Sequence, residues 1–159
     1  PYQGYDNINS SPFLYNGPPT PGGLPPMARV LTIESGDEAV AFPYANLQTV
    51  GMVNADIGGQ AVLVIWQPGV ASPFQLSAGE GSPDVGSAAA YSRELDGQTL
   101  TFAYLDGTII DEQTHSVWDI FGRAVLGEYE GDQLEPVVAI NHFWFSWAAF
   151  RPDTDIYFP

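Results

Sequence analysis

The sequence predicts a mainly β domain, α+β at most: a single compact unit of about eight to ten short antiparallel strands, sandwich- or barrel-like, with one short aromatic helix near the C-terminus. Three observations carry that expectation. The 159 residues include 17 glycines and 14 prolines, which cut the chain into short runs separated by turns. Ala61 to Trp66 (AVLVIW) is an unbroken apolar run, the mark of a strand buried on both faces. And Asp96-Gly97 sits between two β-type runs, the signature of a type I′ hairpin.

The first element, residues 1–26, reads as an extended Pro/Gly-rich arm. Within it Phe13, Leu14 and Tyr15 form a hydrophobic plug expected to pin the arm to its own domain or to a neighbouring subunit. Asn9-Ser10-Ser11 fits the N-glycosylation pattern, which makes Asn9 the glycosylation candidate. Residues 27–159 read as one β-rich globular domain without repeats. Val30–Ile33 and Ala39–Phe42 are expected strands around the turn Ser35-Gly36-Asp37, and Pro43–Leu47 a turn or single helical turn. Val50–Val53 is the next expected strand, followed by a turn over Asn54–Gly59 and the buried strand Ala61–Trp66. A long Gly- and Pro-rich connection, Gln67 to Gly86, precedes the hairpin of Ala88–Leu95 and Leu100–Tyr104. Strands at Thr108–Ile110, Val117–Phe121 and Leu134–Ile140 follow, with an acidic loop over Gly127–Asp132.

Phe143 to Phe150 reads as the aromatic helix, ending ahead of Pro152, because the residue before a proline is pushed out of the α region. Its apolar residues lie all round, so it must be buried by its own domain or by a partner. Trp144 and Phe145 are the residues offered to a partner, as aromatics make interface hot spots.

Charge excludes whole function classes. The net charge is −15, from 19 acids against four arginines, with no lysine. Such a chain repels phosphate backbones and anionic headgroups, so nucleic acid is not an expected partner. Without cysteine there is no disulfide, thiolate nucleophile or zinc–thiolate site, and without lysine no Schiff base. No apolar run reaches the roughly 20 residues of a membrane span. Residue 1 is a proline and nothing resembles a signal peptide, so a mature or trimmed form is expected.

The candidate chemistry gathers on few residues. Asp111 is a candidate general base or cation ligand, and Ser116 stands near it; the plainer reading is an Asx or Ser/Thr turn bonding nearby amides. His115 in the same turn is expected to be exposed. His142 is the better histidine candidate, beside the aromatic helix, although it can equally hydrogen-bond inside the fold. A Ser–His–Asp set assembles on paper from Ser72 or Ser87, His142 and Asp84 or Asp111, but no Gly-x-Ser-x-Gly elbow supports it. No cofactor is expected. Calcium alone has oxygens on offer, in Asp6–Asn9 and Glu128–Asp132, and neither stretch follows the Asp-x-Asp-x-Asp-Gly loop.

Read together, the segments SPFLYNG, LPPMARVLTIE, AVAFPYANL, VMVN in the broken form VGMVN, WQPGVAS, DVGSAAAYSRELDGQTLTF, DEQTHSVWDIFGRAV, GDQLEPV and NHFWFSWAAFRPDT resemble, in order, the domain of unknown function 3179 family. Many members carry a Cys-Pro-x-Cys-like segment after the central apolar strand. Here that place is Trp66-Gln67-Pro68-Gly69, as in a thiol-free, archaeal-type branch. The resemblance implies a fold family and no activity. The function expected is that of a non-enzymatic extracytoplasmic structural or protein-interaction subunit, through a protein partner or self-assembly. The alternative is an enzyme or metal-binding accessory protein using Asp111 and His142 beside the 67–86 loop.

Overall fold

Regular structure starts where the polar, proline-rich arm gives way to alternating apolar residues. The computed structural model describes residues 7–13, 15–17, 19–69 and 86–159. β1 (Arg29–Ser35) and β2 (Glu38–Pro43) form a hairpin whose register places Ser35 opposite Glu38. α1 (Tyr44–Val50) follows directly. It runs further than the single expected turn and absorbs Val50, which the sequence assigned to a strand. The physical reason is burial: Tyr44 and Leu47 face the core from one side of the helix. Gly51 ends it at φ 77°, with its amide bonded to the Leu47 carbonyl at 2.8 Å.

β3 (Met52–Ile57) continues through Asn54, where a turn was expected. Asn54 stays in the strand because its side chain is paired: Nδ2 donates to the Phe102 carbonyl at 2.8 Å and Oδ1 accepts the Phe102 amide at 3.0 Å. The turn shrinks to Gly58-Gly59. β4 (Gln60–Gln67) and β5 (Ser87–Ser92) complete a sheet in the order β3-β4-β5, all antiparallel. β6 (Glu94–Leu95) and β7 (Gln98–Thr99) flank Asp96 and Gly97, both at positive φ (49° and 78°), as a type I′ turn demands.

β8 (Phe102–Leu105), β9 (Thr108–Asp111), β10 (Val117–Trp118) and β11 (Ala124–Leu126) form a second antiparallel sheet, ordered β11-β10-β9-β8. The expected strand Leu134–Ile140 is split between two sheets. The Val137 amide bonds to the Ala90 carbonyl of β5 at 2.9 Å, and β12 (Ala139–Phe143) then pairs with β1. α2 (Trp144–Ala148) and β13 (Asp155–Ile156) follow, the latter parallel to β2. The third sheet therefore reads β12-β1-β2-β13.

Among the described residues these three larger sheets stack as layers, each open rather than closed into a barrel, and β6-β7 is a fourth, two-stranded sheet. β4 supplies both interfaces of the middle layer. Val62 and Val64 join Leu31, Ile33 and Phe42 in one core, while Leu63 and Ile65 join Phe102, Ile109 and Trp118 in the other. That is the two-sided burial its unbroken apolar run predicts. A third, smaller core lies on the outer face of the β1–β2 hairpin, where Val30 and Ala41 are covered by Trp144 and Ala148 of α2. No helix among the described residues is long and apolar enough to cross a membrane.

Candidate functional site

Among the described residues two polar side chains are wholly buried, Asp111 and Ser116, each at 0 % exposure, and the charged one is the Asp111 carboxylate. It ends β9, and the chain turns back through His115, held at φ 60°, into β10. Oδ1 accepts the Thr114 amide at 2.6 Å and the Thr114 hydroxyl at 2.9 Å. Oδ2 accepts the Ser116 amide at 3.1 Å and the Trp118 indole N–H at 2.9 Å. Ser116 is itself buried; its Oγ lies 2.7 Å from the Thr114 hydroxyl and accepts the Tyr129 amide at 3.1 Å. Burial by itself pushes the Asp111 carboxyl up. The Trp118 indole, the Thr114 amide and hydroxyl and the Ser116 amide outweigh that and hold it below its ordinary value. The pattern Asp111, Thr114, Ser116 and Trp118 is thus one closed hydrogen-bond knot. Both carboxylate oxygens accept from donors of the turn and of β10, which is the plainer reading of these residues. His115 is exposed, as expected.

His142 lies in a different sheet. Its register partner is Val30, on the face of β1 covered by α2, and its ring packs 5.0 Å from that of Trp147. Nε2 is buried without a hydrogen-bond partner, and burial lowers the imidazole pKa. Asp111 and His142 belong to different sheets and share no hydrogen-bond partner among the described residues. Ser87 belongs to a third strand, while Ser72, Asp84, Leu14 and Asp6 lie outside the described residues, with most of the 67–86 connection. Among the described residues no group of three or more His, Cys, Asp or Glu side chains is placed to hold a metal ion together.

The aromatic segment departs from its expected form. Phe143 belongs to β12, paired with Arg29, and the helix closes at Ala148. Trp144, expected at a partner surface, is instead fully buried, and its indole N–H donates to the Pro21 carbonyl at 3.0 Å. The correction has a simple cause: Trp144 fills the space between the β1–β2 hairpin and the arm. Phe145 is half-buried, with its ring 5.2 Å from Tyr15 in an edge-on contact and its amide bonded to the Pro26 carbonyl at 2.9 Å. The arm therefore rests on its own domain through Tyr15 and Pro21 to Pro26, whereas Phe13 is 52 % exposed. Phe150, just past the helix, is 84 % exposed. Asn9 is exposed in a short turn, its amide bonded to Asn7 Oδ1 at 3.0 Å.

One polar cluster escapes sequence reasoning altogether. The Tyr44 hydroxyl donates to Asn141 Oδ1, the Arg29 guanidinium lies 4.7 Å above the Tyr44 ring, and Trp66 meets that ring edge-on at 5.2 Å. Burial raises the Tyr44 pKa, offset by the Arg29 charge and by a hydrogen bond with Ser87. Residues 29, 44, 66, 87 and 141 have no common spacing, so only the pairing of β1, β4, β5 and β12 brings them together.

No curated protein and no solved structure matches the chain. Residues 1–154 match the model of a family described as a protein of unknown function, DUF3179, and the chain belongs to that family.

Proposed function

We propose that this domain works by binding, as a non-enzymatic extracytoplasmic interaction or structural subunit, with the aromatic surface around α2 and the arm as its contact face. The observation that carries this reading is the 84 % exposure of Phe150, two residues past the end of α2, the helix whose Phe145 packs on Tyr15 of the arm. A large aromatic this exposed, on a fold that buries Trp144 completely, is the kind of residue that anchors partners. An exposed Asn9 in a glycosylation pattern supports an extracytoplasmic location. A protein partner suits the face better than a second copy at low salt, because two chains of net charge −15 repel.

A photo-cross-linking residue placed at position 150 and, as a control, at exposed position 98 in the producing cell tests the reading. A discrete product at 150 that is absent at 98 is expected. Equal yields from the two positions would remove Phe150 from any interface. Cell fractionation with peptide mapping of Asn9 checks the location and the glycan.

A further inference from the structure

The β8–β11 sheet has two apolar faces, and the protein uses one. Residues opposite each other in a ladder share a face. The pairs Phe102↔Asp111, Tyr104↔Ile109 and Trp118↔Ala124 therefore point one way, and Phe102, Ile109, Trp118 and Ala124 are buried in the core there. β8, β9 and β10 alternate, so Ala103, Ile110 and Val117 point the other way, and a register shift in the β10–β11 ladder brings Leu126, rather than Val125, opposite Val117. The register aligns them in a single row across all four strands: Ala103↔Ile110, Ile110↔Val117, Val117↔Leu126. Leu105↔Thr108 is the next row. Leu105 and Leu126 are 59 % and 61 % exposed, Ala103, Ile110 and Val117 are half-buried, and none of the outward residues belongs to any of the three cores. An antiparallel sheet with one wet face normally alternates apolar with polar residues; here the outward positions carry no ionisable side chain.

The surroundings of this face decide what can sit on it. Asp106, Glu112, Glu128 and Glu130 are exposed in the connections around these strands, against the single cation Arg123. A second copy would bring the same carboxylates against them. We infer that the outer face of β8–β11 is a docking surface for another protein's aliphatic segment flanked by lysine or arginine. This goes beyond the proposed role of the α2 surface and uses different residues. Apolar contact along the Ala103–Leu126 row supplies affinity, and the acidic rim selects the partner's charge and speeds its approach.

The absence of cysteine allows a clean footprint. Ile110→Cys and the control Gln48→Cys are labelled with a maleimide, alone and with a fluorescent peptide of alternating leucine and lysine; leucine–glutamate and serine–lysine peptides serve as comparisons. The leucine–lysine peptide is expected to bind, to protect position 110 but not 48, and to weaken as salt rises. Ile110→Thr with Leu126→Ser, checked for an unchanged thermal midpoint, is expected to raise its Kd about tenfold. Equal binding by the leucine–glutamate or serine–lysine peptide would overturn the inference. So would protection of position 110 in the isolated monomer, which would mean the chain's own residues cover the face. Protection that follows a doubling of mass in light scattering would assign the face to a second copy and overturn it as well.

Discussion

The Asp111 turn and the α2 face each bury polar atoms of a titratable side chain, and they treat them in opposite ways. Asp111 is fully enclosed and meets donors from Thr114, Ser116 and Trp118, all within seven residues. His142 buries Nε2 with no partner and offsets this only by packing its ring on Trp147. A carboxylate can be satisfied locally because a tight turn directs several amides at one point. An imidazole on a strand has no such turn, and its surroundings are chosen by whatever packs across the sheet. The first region is a folding device written into a short motif; the second is a product of assembly, where the arm, β1, β12 and α2 meet.

The contrast can be broken most forcefully at Trp144. Trp144→Ala empties the space between hairpin and arm and removes the indole bond to Pro21; urea unfolding is expected to show a loss of about 3–5 kcal/mol. A loss below about 1 kcal/mol would mean that the α2 face is not held by assembly. Asp111→Ala should cost on the order of 3 kcal/mol, since the Trp118 indole and the Ser116 amide lose their acceptor in a buried place. A double cycle of Asp111→Asn with Trp118→Phe sharpens the point. Strong coupling is expected, and additive effects would show that the knot is not one unit. The Asp111 pKa is lowered in the folded state, so its stabilisation is present above the unfolded value near 3.9 and is lost as pH falls through the folded value. Acid unfolding of Asp111→Asn should accordingly be shallower below about pH 4 than that of the parent.

Gly127→Ala tests the same knot from outside. Gly127 has φ 102°, and an added Cβ would lie 2.7 Å from Ser116 Oγ and 2.8 Å from its Cα. About 1–3 kcal/mol of destabilisation is expected by thermal melting, and a neutral substitution would mean that the turn can yield. The smallest effect belongs to His142. Its folded pKa is lowered, so the unfolded chain binds the extra proton and stability falls as pH drops through the unfolded value near 6.5. Melting midpoints of the parent minus those of His142→Phe should decline between about pH 7.5 and 5.5. A flat difference would show that burial of Nε2 has no titration consequence.

What could be read in advance follows the range of the interactions. The β4 run, the Asp96-Gly97 turn and the turn at Asp111 are legible because their causes lie within a few residues: burial period, positive φ, and side chain to amide bonds. Where the reading failed, a distant partner overrode a local preference. Asn54 is a turn former held in a strand by Phe102, 48 residues away. Phe143 leaves a helical pattern because Arg29 of β1 pairs with it. Trp144 looks like an interface anchor until the arm closes over it.

By itself, then, the sequence determined a β-rich domain without thiols or lysine, a central strand buried on both faces and its hairpin turns, and offered the turn at Asp111 as the plainer of two readings. Composition, alternation and turn chemistry act locally and survive any arrangement of the sheets. Tertiary structure alone decided the stacking of three open sheets, the placing of Asp111 and His142 in different sheets, the burial of Trp144, and the alignment of Ala103, Ile110, Val117 and Leu126 on one outer face. The reason is physical: these features depend on which strands pair and in what register, and pairing is settled by contacts between residues far apart in the chain, which no local pattern encodes.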